Sequence, residues 1–196
     1  PAHFHYANVL ASRGDAARAR KALEQAIKLD SRYLPARVGE IKMRVQFNEL
    51  DQAKKALAKL RQDFGDHVEV LGIEGWFALG TGDFVSAEQK LTAALKKRPS
   101  TELLLLNARA QWAQKKQEPA LKAMRDWLKE HPNDVPVHMQ LAGAYLGMGK
   151  EADMVDAATS AALARGLRTA DIAQPGERAI GTAAMGAAVV AALQDV

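Results

Sequence analysis

The feature that most limits how this chain can fold is a recurrence every 34 residues: Gly14-Asp15, Asn48-Glu49 and Gly82-Asp83. Each pair is followed by an alanine five residues on from its first member (Ala19, Ala53, Ala87) and by a leucine four residues after that (Leu23, Leu57, Leu91). Turn-forming residues set between apolar stripes at helical spacing describe a helix, a tight turn and a second helix. One such unit cannot bury its apolar face alone, so copies stack on one another. The expected architecture is all-α, with each unit contacting its neighbours and the stack presenting a long concave surface instead of an enclosed pocket.

Five units are read along the chain, at residues 1–33, 34–67, 68–100, 101–134 and 135–167. In the first, Gly14-Asp15 turns the chain near Arg13 and Ala16 to Leu29 form the second helix; glycine accepts the positive φ of a helix end and aspartate caps the helix that follows. Pro35 stands in the first helical turn of the second unit, where its missing N–H costs nothing. The third is the best match to the pattern. The fourth is one residue out of step, since Pro99 and Pro132 are 33 apart, and Lys115 to Pro119 replace its small turn residues. Its second helix keeps an apolar stripe at Ala120, Met124 and Trp127. The fifth has a second helix rich in alanine.

These positions resemble the tetratricopeptide repeat (TPR) family, which implies a right-handed superhelical solenoid of about five helix pairs over residues 1–167. The family pattern asks for a small residue in the middle of each first helix, met by Ala7, Gly75, Ala108 and Ala142, with Ile41 as the departure. It also asks for one early in each second helix, met by Ala19, Ala53, Ala87 and Ala120, with Met154 looser. Two helices cross tightly only where side chains are small. Ile41 is therefore expected to splay its helix pair slightly.

Within that family, the stretches 102–111, 127–134 and 141–149 resemble the TPR-repeat lipoproteins of bacterial PEP-CTERM/exosortase systems. That resemblance covers about residues 68–150 and implies an exported scaffold associated with exopolysaccharide and protein-sorting machinery, periplasmic or attached to the outer membrane. The lipoprotein cysteine of such proteins has no counterpart in this sequence. The chain opens Pro1-Ala2-His3, which reads as a piece of a longer protein.

The 196 residues are 48% hydrophobic and 26% charged, the composition of a folded chain, and contain no cysteine, which excludes thiol catalysis, disulfides and cysteine-ligated zinc. The net charge of +4 is spread over mixed-sign helix faces instead of gathering with aromatics, so nucleic acid is not an expected partner. No apolar run reaches the length of a membrane span. His3 and His5 point to different sides of a helix, and His131 and His138 have no carboxylate pair at ligand spacing, so neither a metal nor another cofactor is expected. No phosphate loop, nucleophile elbow or HExxH motif is present, so the chain is not read as an enzyme.

The residues with a functional reading lie on the inner faces of the first helices. In TPR proteins, the family this chain resembles, equivalent positions of successive first helices line the groove. The central position is held here by Asn8, Lys42, Trp76, Arg109 and Gly143; one turn earlier stands Phe4, and three residues after Arg109 stands Trp112. Arg and Trp are frequent interface anchors. Asn8, Lys42, Trp76, Arg109, Phe4 and Trp112 thus form a candidate groove for an extended or helical peptide. Trp112 also reads as a filler between the third and fourth units, and Lys42 and Arg109 as ordinary solvated residues. The carboxylate clamp of chaperone-binding TPR domains is not reproduced, with Phe4, Asn8, Gly39, Glu69 and Ile73 at its positions.

After Arg168 the pattern stops. Gln174 to Glu177 reads as a loop, and Ala179–Leu193 as a short apolar helix whose Met185, Val189 and Leu193 share a face. Residues 168–196 are expected to cap the last unit or to serve self-association. Two alternatives to a peptide scaffold stay open: a regulatory or substrate-recruiting arm of a larger enzyme such as a glycosyltransferase, or direct binding of acidic saccharides by Trp76, Lys42 and Arg109.

Overall fold

The computed structural model describes residues 1–149 and 151–194. Its helices run α1 Ala2–Ser12, α2 Ala16–Leu29, α3 Leu34–Gln46, α4 Leu50–Phe64, α5 Val68–Gly80, α6 Phe84–Lys97, α7 Thr101–Ala113, α8 Gln117–Glu130, α9 Val135–Gly147, α10 Glu151–Ala164 and α11 Thr182–Gln194. The fold is all-α in repeated helix pairs. A pair of two-residue strands interrupts it late in the chain.

The chain divides into two compact units, Pro1–Arg98 and Pro99–Val196. In the first, α1 packs on α2, α2 on α3, α3 on α4 and α5, and α5 on α6. The alanines early in α2, α4 and α6 (Ala19, Ala53, Ala87) are fully buried. One core cluster gathers Ala7, Leu10, Leu23 and Met43; a second gathers Ile41, Leu57, Leu60, Val70 and Ile73. The closest approach is at Gly75, where an added Cβ would stand 2.5 Å from Leu91 Cγ. Backbones come less close in α3–α4, where Ile41 fills the corresponding place, than in α5–α6. The α7–α8 pair is as open as α3–α4 although it carries Ala108, so the size of that residue does not by itself set the spacing.

The turns show why the repeat marks recur. Gly14 and Gly82 adopt φ of 78° and 83°, and Asn48 and Lys115 hold the same left-handed conformation at 60° and 61°. Glycine takes that geometry freely and asparagine tolerates it; for lysine it is strained. The aspartates then cap: Asp15 accepts from Arg18 N and Asp83 from Ser86 N, both at 3.1 Å. In the second unit Ser100 and Asp134 cap α7 and α9 in the same way, at 3.3 Å each.

In the second unit α7 packs on α8 and α9, α9 on α8 and α10, and α11 on α10 and α9. Alanine makes the buried face of α10 at positions 157, 158, 161 and 162. On either side of the Gln174–Glu177 loop lies a parallel pairing of β1 (Arg168–Thr169) with β2 (Ala179–Ile180), so the helix expected from Ala179 begins instead at Thr182, its first two residues being taken by the strand. Arg168 Nη1 donates to the carbonyls of Leu163 and Leu167, tying β1 to the end of α10. On α11, Met185, Val189 and Leu193 are half-buried and Ala192 is fully buried, while Val190 is exposed.

Candidate functional site

In four of the first helices the candidate groove residue follows directly on the buried residue that packs against the partner helix. Ala7 is buried beside exposed Asn8, Ile41 beside exposed Lys42, Gly75 beside half-buried Trp76, and Ala108 beside exposed Arg109. Neighbouring positions on a helix point about 100° apart, so burying one places the next at the edge of the packed face.

Within the first unit the structure brings Lys42 and Trp76 together: the ammonium lies 6.0 Å from the centroid of the indole ring. The contact joins consecutive groove positions on α3 and α5, and Trp76 also packs against the core cluster around Ile41 and Ile73. An exposed contact of this type contributes roughly 0.5–1 kcal/mol and holds the lysine over the apolar surface. Phe4 is differently placed. It packs on the first core cluster, edge-on to Tyr33 at 5.7 Å between centroids, with its ring under Gly39. It therefore serves mainly to join α1 to α3. Asn8 stands exposed on the same helix.

Within the second unit Arg109 and Trp112 line one concavity of about 790 Å³ with Leu105, Met124, Gln140 and Gly143. Its wall is α7 and its facing wall α9, which at Gly143 and Gly147 has no side chains to close it. Glu102 adds one carboxylate at the same site. The lining is mostly apolar, with one guanidinium, one carboxylate and the amides of Gln117 and Gln140. Such a surface takes up an apolar side chain and orients it by one charged contact.

Carboxylates elsewhere are held by structural hydrogen bonds and ion pairs. Burial raises the Asp134 carboxyl, but hydrogen bonds from Thr101 and Trp127 and the Val137 N–H bring it below its ordinary value. Glu69 is likewise raised by burial and then lowered below the usual range, mainly by Arg98. Hydrogen bonds from Lys122 and Lys129 bring Asp126 down to about 2. None of these groups is poised near neutral pH for proton transfer. His138 is buried with Nε2 2.8 Å from Pro132 O, and His131 lies against Trp127 with centroids 4.1 Å apart. Among the described residues no three His, Asp or Glu side chains gather as metal ligands, and no helix is long and apolar enough to cross a membrane.

Residues 10–75 match the family model for the tetratricopeptide repeat. That stretch, about a third of the chain, is similar to tetratricopeptide repeats. The TPR fold extends through the described chain, as solved structures of the same type show. A TPR protein from Parabacteroides merdae aligns with 84% of this chain and 68% of its own, at a TM-score of 0.65 and 16% identity. MamA aligns with 82% of this chain and 94% of its own, at 0.61 and 16%. A chain of the APC/C hetero-tetramer Cut9–Hcn1 aligns over 100% of this chain and 35% of its own, at 0.68 and 18%. At these identities the likeness is one of TPR fold.

A different relationship covers a quarter of the chain. Over 48 residues it is 54% identical to 3-isopropylmalate dehydrogenase of Burkholderia pseudomallei, and over 49 residues 50% identical to that of Rhodospirillum rubrum. The match spans 14% and 13% of those enzymes' lengths. Nothing in the groove reading anticipated it.

Proposed function

We propose that the chain is a non-catalytic protein-interaction scaffold that holds a peptide segment of a partner protein on the inner faces of its first helices. The observation that carries this reading is the concavity that Arg109 and Trp112 line together with Gly143 and Gly147 of α9. The Lys42–Trp76 contact supplies a second position of the same cationic and aromatic character in the first unit. TPR proteins in general bind protein partners, and the resemblance of the fold to APC/C and MamA chains supports a scaffold over a catalyst. The test is a photo-crosslinking residue placed in turn at Asn8, Arg109 and, on an outer face, Lys122, in extract of the source organism. One protein captured at the inner positions and absent at Lys122 supports the groove; equal labelling at all three sinks it.

The finer setting, an exported protein of an exopolysaccharide and protein-sorting system, rests on the resemblance of residues 68–150 to the PEP-CTERM TPR lipoproteins. Its test is the coding sequence of the whole gene, which must carry an export signal and a lipoprotein cysteine. The identity with 3-isopropylmalate dehydrogenase favours a second reading, in which the repeats serve as an arm beside enzyme-derived sequence. A match to about a seventh of such an enzyme does not assemble its active site, so purified chain is expected not to oxidise 3-isopropylmalate with NAD. Turnover in that assay would overturn both the scaffold reading and the assignment of the groove.

A further inference from the structure

A further concavity lies in the first unit, on the side of α3 turned away from the candidate groove residue Lys42. It has a volume of about 450 Å³, is floored by Arg37, Glu40 and Arg44 of α3, and is walled by Gln52, Lys55 and Lys59 of α4. The α3 residues follow one another at three and four places and the α4 residues likewise, so each set forms one ridge on its helix.

The floor is rigid and the wall is not neutralised. Arg37 is 6% exposed, and its side chain donates through Nη1 to Ser31 O at 3.0 Å and Asp63 Oδ2 at 3.1 Å. Nε and Nη2 make no hydrogen bond among the described residues and are not buried without a partner, so their donors stay open to solvent. Arg44 is held by Glu40, Glu49 and Gln52. Lys55 and Lys59 are exposed, and among the described residues neither enters an ion pair. The one carboxylate in the lining, Glu40, is already engaged by Arg44 at 2.7 Å. The balance of free charge in the cleft is therefore positive.

We propose that this cleft binds an acidic peptide segment, its carboxylates facing Lys55, Lys59 and the spare donors of Arg37. Length argues for a peptide over a single small anion: from Gln52 to Lys59 the wall runs for two turns, about 10 Å of helix, which matches about three residues of extended chain. Ala56 and Ile27 add apolar surface to the lining, which a peptide covers and a free phosphate leaves bare. The site is separate from the inner groove, so the chain has two faces for acidic or mixed partners, and occupation of one leaves the other open.

The test uses fluorescein-labelled hexaglutamate peptide and fluorescence anisotropy at low salt, on the whole chain. The double variant K55E/K59E is expected to weaken binding by roughly tenfold, the scale of reversing two partly screened ion pairs. K54E/K97E changes net charge equally outside the cleft and is expected to leave binding within twofold. Equal loss in both variants would show attraction to overall charge alone and overturn the proposal. Displacement by inorganic phosphate as effective as by unlabelled peptide would make this a small-anion site and also overturn it. R109E separates the two faces: hexaglutamate binding unaffected by R109E but lost in K55E/K59E assigns the peptide to this cleft, while the reverse assigns it to the groove and sinks the inference. Both exchanged lysines are exposed, and circular dichroism of the variants confirms the fold.

Discussion

The indole Nε1 of Trp127 donates to Oδ2 of Asp134 at 2.8 Å. The same carboxylate oxygen accepts from Thr101 Oγ1 at 2.5 Å, and Oδ1 caps α9 through Val137 N. One side chain thus fastens the end of α8, the start of α7 and the start of α9. Asp134→Ala is expected to cost about 2–3 kcal/mol, the sum of a lost cap and the buried donors left behind. Trp127→Phe, which removes one donor and keeps most of the ring, is expected to cost about 1 kcal/mol. Urea unfolding of the two variants checks the order; equal costs would show that the indole contributes through packing alone.

That carboxylate also predicts a pH dependence. Asp134 sits below its ordinary value of 3.8 in the fold, so its contribution is fully present above that value and disappears as pH falls through the lower folded one. The wild type is therefore expected to lose stability on acidification below about pH 4 more steeply than Asp134→Asn. Denaturant midpoints at pH 7, 4 and 3 for both proteins measure it, and parallel slopes would refute the assignment.

Gly75→Ala places a methyl 2.5 Å from Leu91 Cγ and 3.3 Å from the Ala87 carbonyl. Overpacking of that kind costs about 1–3 kcal/mol. Gly39→Ala meets the movable end of Leu23 at 3.2 Å and touches the Phe4 ring at an ordinary 3.5 Å, and is expected to cost less. Thermal melts of the pair decide between them.

Lys115 holds φ of 61° in the turn before α8. Lys115→Gly is expected to stabilise the chain by about 0.5–1 kcal/mol, the relief of left-handed strain outweighing the added freedom of the unfolded chain. Asn48→Gly, at 60°, is expected to gain less because asparagine already tolerates that region. A lower melting temperature for Lys115→Gly would contradict the strain argument.

For the groove, Arg109→Glu is expected to weaken a captured partner peptide by tenfold or more while leaving the melting temperature within a degree or two, since the residue is exposed. Trp76→Ala is expected to lower both affinity and stability, because the ring packs on the core as well as under Lys42. Calorimetric titration alongside thermal melts separates the two effects.

The fold was legible because its rules are local. A left-handed turn followed by a capping aspartate requires particular residues at Gly14-Asp15 and Gly82-Asp83, and helix crossing requires Ala19, Ala53, Ala87 and Ala120, so the 34-residue period carried the helix pairs directly. The same logic put Arg109 and Trp112 on one face of α7. It did not show that α9 leaves that face open through Gly143, nor that Phe4 turns toward Tyr33 and the core.

By itself the sequence determined helix, turn and small-residue contact, since each depends on neighbours within one or two repeats. Only the tertiary structure decided the β1–β2 pairing, the three-way hold of Asp134, the Lys42–Trp76 contact and the cationic cleft beside α3. Each joins residues on different elements: the period aligns Lys42 with Trp76 but does not aim the ammonium at the ring, and the side-chain contacts form only through rotamers that the packed neighbours select, while β1–β2 is a backbone pairing that depends on where the chain returns.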